Sequence, residues 1–473
     1  MKKFRSLCLI LAAIALIACF APAAGATAGT DQSVLSGCHS VDAALQLSDG
    51  GRLAETAKAA IVYERNSDTM IYAWNPDQQI YPSSMAKLMT ALIAIEQGNL
   101  DDKVIVTKRA LSYVAIGSVS AGLVAGEELT LRDLLYCMMA ASANDASTVI
   151  AEHIAGSQDA FVAMMNQRAL EIGCKNTVFT NAHGLHDENM YTTARDICRI
   201  ADFALDNEVF KTLFCAKSYT VPATNKSEER AVYTSNYMMS TDVNKKYIDP
   251  RVTGGKTGST NEGGRCLVAT SEGGGMELLT IVMGAKPTYE PDGLALERFG
   301  SFEETAALLD YALGNFEYRQ IFFTDQVVAQ YPVTGGENNV VVQPSRAGAT
   351  VLPKNIDESQ LSWIYAGSVG TLTAPIAQGQ VISQLQVWYG SKCVAQTDLT
   401  AIHAVDVWTE PTQPTRQDRK NTDFPWTVVG IVIGILVALV LLAGLSLVAV
   451  RFMHKTRKNV QRRNRRQDRR RGM

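Results

Sequence analysis

Three short strings carry side chains suited to acyl transfer: Ser84-Met85-Ala86-Lys87 just after Pro82, Ser142-Ala143-Asn144, and Lys256-Thr257-Gly258 behind Gly254-Gly255. A serine hydroxyl attacks a carbonyl well only when a base takes its proton. Lysine serves as that base only when neutral, and its unperturbed pKa is about 10.4. On a helix, residues i and i+3 share a face, so Ser84 and Lys87 can meet. Burial and a second cation would lower the lysine's pKa, and Lys256 is the candidate cation. A helix N-terminus at Ser84 would aim N–H groups at developing negative charge. No histidine is required, in keeping with the lack of a G-x-S-x-G string. Taken singly, the strings have plainer readings: a helix N-cap serine with a solvated lysine, a loop, an exposed strand end. Their joint occurrence in this order points to one shared site. No H-E-x-x-H and no C-x-x-C occurs, so neither a metal nor a cofactor is expected.

The elements expected around these strings are mixed. Residues 59–64 and 70–74 are apolar, β-prone runs on either side of Arg65-Asn66-Ser67-Asp68 and read as a hairpin. Helices are predicted over residues 84–96, 131–141 (behind a Thr130/Asp133 capping box), 145–155, 158–172 and 194–205, with Gly98, Gly156 and Gly173 as stops. Strands return at 252–257, 266–271 and 276–283, and a last helix covers 302–313. Strands at both ends with helices between imply one antiparallel sheet built from distant segments, with a helical block inserted. That is an α+β domain over residues 29–315. From 316 to 408 the runs are short and β-prone, as for a small β-sandwich. Residues 409–425 carry Pro411, Pro414 and Pro425 and read as a semi-extended linker.

Both chain ends point to a membrane. Lys2, Lys3 and Arg5 precede an apolar stretch from Leu7 to Phe20, then A-x-A sites at Ala24-Gly25-Ala26 or Ala26-Thr27-Ala28, which reads as a signal peptide over residues 1–28. Leu16-Ile17-Ala18-Cys19 also resembles a lipobox, which would acylate Cys19. Phe424 to Val450 is free of charge and long enough for a hydrocarbon core of about 30 Å, giving a transmembrane helix at 426–450. Eleven Lys/Arg follow in residues 451–473 against the single acid Asp468. The positive-inside rule therefore places this basic tail in the cytoplasm, against membrane lipid, and the body outside. With so much positive charge at the two ends, the overall −3 hides a strongly acidic body, a poor match for nucleic acid. Hydrophobic residues at 47% and charged residues at 19% exclude wholesale disorder. The seven cysteines beyond the signal are scattered and read as buried fillers, with a disulfide permitted by export.

Together the three strings resemble the S-x-x-K, S-D-N and K-T-G set of class A β-lactamases and penicillin-binding proteins. Their surroundings narrow the likeness: Tyr81-Pro82-Ser83-Ser84-Met85-Ala86-Lys87-Leu88-Met89-Thr90, Ala141-Ser142-Ala143-Asn144-Asp145-Ala146, Asn181-Ala182-His183-Gly184-Leu185, Tyr191-Thr192-Thr193-Ala194-Arg195-Asp196, and Gly255-Lys256-Thr257-Gly258-Ser259-Thr260 followed by Cys266-Leu267-Val268. These are similar to the low-molecular-mass penicillin-binding proteins, the serine D-alanyl-D-alanine carboxypeptidases. The likeness covers residues 55–315, and the β-rich segment resembles the family's membrane-proximal domain. Departures are small: Ala143 where Gly or Asp is frequent, Ser83 for Ala, Ala86 for Thr, and a spanning helix in place of an amphipathic one.

The resemblance implies a penicillin-binding/β-lactamase-like transpeptidase fold, an antiparallel sheet with helices on both faces and a helical subdomain. It implies that Ser84 attacks the carbonyl between two terminal D-alanines of a peptidoglycan stem peptide and forms an acyl-enzyme, and that β-lactams acylate the same oxygen. Lys87 would be the base, Ser142 and Lys256 the proton relay, and Asn144 the holder of Lys87 and the substrate amide. Thr257 would bond the terminal carboxylate, with Gly258 beside it, and the N–H groups of Ser84 and Ser259 would form an oxyanion hole. Arg298 offers a guanidinium for that carboxylate, against the alternative of a surface arginine beside a helix start. His183 and His186 are read as structural. A D,D-transpeptidase and a β-lactamase-like hydrolase are the near alternatives, the latter disfavoured because no E-x-x-L-N string occurs. A non-catalytic β-lactam- or wall-binding protein is the alternative of another class, disfavoured by intact Ser84, Lys87, Ser142 and Lys256.

Overall fold

The computed structural model describes residues 52–239, 245–289, 296–366, 370–410 and 426–468. The signal peptide with its possible lipobox, Cys38, nearly all of the 409–425 linker and the last five residues of the tail lie outside the described residues. The chain divides into two units after Val407.

Alternating apolar strands build the centre of the first unit. β1 (Ala59–Glu64), β2 (Thr69–Trp74), β3 (Val252–Thr260), β4 (Gly264–Gly273) and β5 (Met276–Ala285) form one antiparallel sheet in the order β2-β1-β5-β4-β3. The expected hairpin is there, with Ile61 opposite Ala73, and β1 takes β5 as its other neighbour, with Ile61 opposite Ile281. Successive side chains of a strand turn to opposite faces. Ala59, Ile61 and Tyr63 therefore enter one core, and Ala60 and Val62 another.

The first face is covered by a helical block comprising α1 (Ala86–Gln97), α2 (Leu131–Met139), α3 (Asn144–Ala155), α4 (Gln158–Glu171) and α5 (Ala194–Leu205). The second face is covered by α6 (Gly300–Asn315), through Phe302, Leu308, Leu309 and Ala312. The capping box that opens α2 is complete: Asp133 N–H donates to Thr130 Oγ1 at 3.1 Å, and Thr130 N–H to the Asp133 carboxylate at 3.0 Å. α3 ends where Gly156 turns left-handed, φ 75°.

Two local expectations need correction. Ser84 does not sit in an α-helix: Ser83–Met85 form a 3-10 turn that runs into α1. Lys256-Thr257-Gly258 does not end its strand, because β3 continues to Thr260 as the outer strand of the sheet. Two small ribbons, Lys103–Ile105 with Glu128–Thr130 and Ser218–Val221 with Arg230–Tyr233, had no clear signal in the sequence.

Beyond α6 the chain turns to strands. β6 (Phe316–Phe322) pairs with β9 (Gly348–Pro353), while β7 (Ala329–Tyr331), β8 (Val340–Pro344), β10 (Leu361–Ala366), β11 (Val381–Tyr389) and β12 (Lys392–Ala401) form a sheet in the order β7-β8-β12-β11-β10. Phe322 and Leu352 of the ribbon share a core with Val342, Leu385 and Leu399 of the sheet, giving two layers. Cys393 is disulfide-bonded. Cys137, Cys174, Cys198 and Cys266 are buried thiols, and Cys215 is half-buried. In the second unit α7 (Trp426–Asp468) contains Val429–Val448, which is long and apolar enough to cross a membrane, with mean hydropathy 3.1.

Candidate active site

Ser84 is half-exposed in its 3-10 turn, and Lys87, in the first turn of α1, is fully buried. The turn runs straight into α1, where residues three apart share a face, and Lys87 Nζ lies 3.1 Å from Ser84 Oγ. The turn is held from outside. Ser83 adopts φ 51°, and its hydroxyl meets that of Thr260 at 3.0 Å. Gly184, at φ 82°, presses on the same turn so closely that a Cβ there would fall 1.8 Å from the Ser83 carbonyl oxygen.

Lys87 Nζ is also 2.7 Å from Asn144 Oδ1 and 2.6 Å from the His183 carbonyl oxygen. Both oxygens only accept. A charged amine would donate to all three oxygens, whereas a neutral one that donates to both acceptors has its lone pair left for the Ser84 hydroxyl. Burial pushes the Lys87 pKa well below the ordinary lysine value, and Lys256 pushes the same way while Asp145 opposes them. Asp145 is already engaged, accepting from Ser120 Oγ and from the N–H groups of Ala121 and Leu123.

Ser142 occupies the break between α2 and α3 at φ 61°, an unusual conformation for a serine. The bonds Ala143 N–H to Cys137 O and Asn144 N–H to Val119 O pin that break. Lys256 Nζ donates to Ser142 Oγ at 2.8 Å and to the Thr257 carbonyl at 3.0 Å. Burial lowers the Lys256 pKa to about 7. Gly258 leaves room beside the turn, since a Cβ there would stand 3.2 Å from Ser84 N.

Ser84, Ser142, Thr257, Gly258 and Ser259 line one cleft of about 200 Å³, and Lys87, Asn144 and Lys256 bond to its wall. The sequence reading missed Ser235, Tyr237, Arg265 and Phe299, which line it too. Ser235 shares a short hydrogen bond between hydroxyls with Thr257. Arg265 had a usable signal, because it follows the turn after the K-T-G strand and pairs with Ser259. Arg298 ends the short strand Leu296–Arg298 opposite Thr288, and its side chain lies outside the described residues. The His183 imidazole is buried and accepts from Leu185 N–H at 3.1 Å through Nδ1. Burial and Lys87 hold its pKa down at about 3, so it stays neutral. His186 stands edge-on to Tyr81.

A lysine amine, rather than an imidazole, lies beside the serine hydroxyl, an arrangement that can support acyl transfer. Known proteins narrow the class. The family model described as D-alanyl-D-alanine carboxypeptidase matches residues 48–287, and the one described as penicillin-binding protein 5, C-terminal domain, matches residues 316–407. D-alanyl-D-alanine carboxypeptidase DacF of Bacillus subtilis is 30% identical over 362 residues, which is 75% of this chain and 87% of the relative. DacA of Haemophilus influenzae is 29% identical, over 74% of this chain and 85% of its own length. The crystal structure of penicillin binding protein 5 from Haemophilus influenzae superposes with TM-score 0.59 at 29% identity, over 74% of this chain and 98% of that one. The chain belongs to the D-alanyl-D-alanine carboxypeptidase family.

Proposed function

We propose that this serine D-Ala-D-Ala carboxypeptidase works through Ser84 as nucleophile and neutral Lys87 as base, on peptidoglycan stem peptides. The peptide lies extended along the free edge of β3, which has backbone N–H and C=O groups to offer on that side. Ser84 Oγ gives its proton to Lys87 Nζ and forms a bond to the carbonyl carbon between the terminal D-alanines. The carbonyl π electrons move onto oxygen, where the N–H groups of Ser84 and Ser259 stabilise them. The intermediate collapses by breaking the C–N bond. The proton reaches the leaving D-alanine nitrogen through Ser142, which Lys256 holds in place. Water then hydrolyses the ester. Asn144 keeps Lys87 aligned, and Thr257 receives the terminal carboxylate with its hydroxyl. A β-lactam ring opens onto the same oxygen.

The observation that carries this reading is a fully buried Lys87 whose Nζ lies 3.1 Å from Ser84 Oγ, with burial and Lys256 both disfavouring its charge. Its test is D-alanine release from a D-Ala-D-Ala-terminated pentapeptide, with and without Ser84→Ala. Loss of release in the variant is expected, and release at the wild-type rate would sink the reading.

The same proposal includes a membrane location: one span through α7, the catalytic body outside the cytoplasm and the basic tail inside. The apolar run in α7, the Lys/Arg excess after it and the disulfide at Cys393 support this. A membrane-impermeant fluorescent β-lactam is expected to label the protein on intact spheroplasts, and labelling only after lysis would contradict it.

A further inference from the structure

We infer that Arg265 is a further substrate-binding residue, a guanidinium that holds the carboxylate at the scissile end of the peptide. This rests on the carboxypeptidase reading of the cleft. The β3–β4 ladder pairs Ser259 with Arg265, Thr257 with Leu267 and Lys256 with Val268. Residues directly opposite across a ladder share a face, and faces alternate along a strand. Val268 enters the core of the helical block, and Leu267 enters the core under α6. Thr257, Ser259 and Arg265 therefore belong to the α6 side of the sheet, while Lys256 reaches the other side toward Ser142.

Arg265 is half-buried in the cleft wall and aimed by aromatic rings. Its guanidinium lies 5.3 Å from the centre of the Phe299 ring. That ring is itself fixed, edge-on to Tyr237 and Tyr247, with Phe299 N–H donating to the Tyr247 hydroxyl at 3.1 Å. Arg65, Arg195, Arg230 and Arg251 all face carboxylates, whereas Arg265 makes no salt bridge among the described residues. It is an oriented cation, with no carboxylate partner among the described residues, beside the strand along which the peptide would lie. A D-Ala-D-Ala end brings one carboxylate, one residue past the attacked carbonyl. With that carbonyl between Ser84 and Ser259, the carboxylate falls near Thr257, on the side Arg265 occupies. A planar guanidinium takes a carboxylate with two parallel bonds. The resemblance gave this role to Arg298, so the two arginines make distinct claims.

The experiment compares acylation of the full-length protein by benzylpenicillin and by its uncharged methyl ester, read as intact mass over time. Their rate ratio isolates recognition of the carboxylate from the chemistry at Ser84. Arg265→Met keeps an apolar stem against Phe299 and removes the charge, and is expected to lower the acid-to-ester ratio by about 10- to 100-fold. Arg265→Lys, which keeps a point charge, is expected to retain a ratio between those of Met and Arg. A ratio within twofold of wild type in both variants overturns the proposal and leaves the carboxypeptidase reading standing, with Arg298→Gln then showing whether that side chain carries the role. If the wild-type protein reacts with neither compound at Ser84, both readings fall. Adduct formation by the ester shows that each variant is folded.

Discussion

Lys87 Nζ faces three oxygens, and only that of Ser84 bears a hydrogen to give. Replacing Asn144 by Asp would set a carboxylate 2.7 Å from the amine and hold it protonated. Asn144→Asp is therefore expected to slow β-lactam acylation at pH 7 by about 100-fold or more, with partial recovery at higher pH. Equal rates in variant and wild type would contradict a neutral base. Lys256 supplies the opposite limb. In the proposed mechanism the base works once deprotonated, so the acid side would rise with pH, whereas Lys256 would serve while charged and loses its proton above about 7. The second-order acylation rate should fall above that pH, and Lys256→Arg, whose charge is permanent, should abolish the fall while lowering the rate. A bound carboxylate favours the charged amine and moves the limb upward. Among residues, Ser84, Lys87, Ser142 and Lys256 were legible because short motifs carry them. Ser235 and Phe299 were not, since long-range folding alone brings them to the cleft.

At the scale of elements, the turn that carries Ser84 rests on a contact distant in sequence. Gly184 lies against the 3-10 turn, at a φ that side chains avoid. Gly184→Ala must shift either its own loop or the Ser83–Met85 turn. It is expected to cost about 2–4 kcal/mol in urea unfolding and to reduce acylation by more than the loss of folded protein explains. Thr130→Ala, by contrast, removes one half of the α2 capping box and should cost about 1 kcal/mol while leaving acylation of the folded fraction unchanged. The hairpin, the capping box and the glycine stop after α3 were readable because local sequence decides them. Local sequence reads the Ser83–Met85 turn as helix, since Gly184, which packs against it, lies in another segment. The predicted helix end at residue 141 ran past Met139 for a similar reason: the left-handed Ser142 is held by bonds to Cys137 and Val119 through its neighbours. The strand carrying Lys256 extends further than its apolar run because pairing with β4 continues through Gly258 and Thr260.

For the whole molecule, two buried lysines near one cleft tie stability to pH. Lys256 has a folded pKa of about 7, and the unfolded value is about 10.4. Between these the unfolded chain binds a proton that the folded protein lacks, so this group's contribution to stability rises with pH across that window. Thermal melts from pH 7 to 10 should therefore show wild type gaining relative to Lys256→Met, and a relative loss would contradict the depressed pKa. The spanning segment makes a separate claim. A chain ending at residue 410 lacks α7, so it should leave the membrane fraction yet react with penicillin at the full-length rate. Retention on membranes would mean that another segment anchors the body. The apolar run and basic tail were plain in composition alone, as was the β-rich nature of 316–408. The pairing order of its strands was not, because β-prone runs do not state their partners.

The central claim is that a neutral Lys87 takes the proton of Ser84. Its most direct test is a peptide map of penicillin-treated wild type and Lys87→Met, with the adduct located by mass. One penicilloyl group on Ser84 in the wild type, and none in Lys87→Met over the same time, is the predicted result. An adduct on any other residue, or one on Ser84 of the variant at the wild-type rate, would contradict the account.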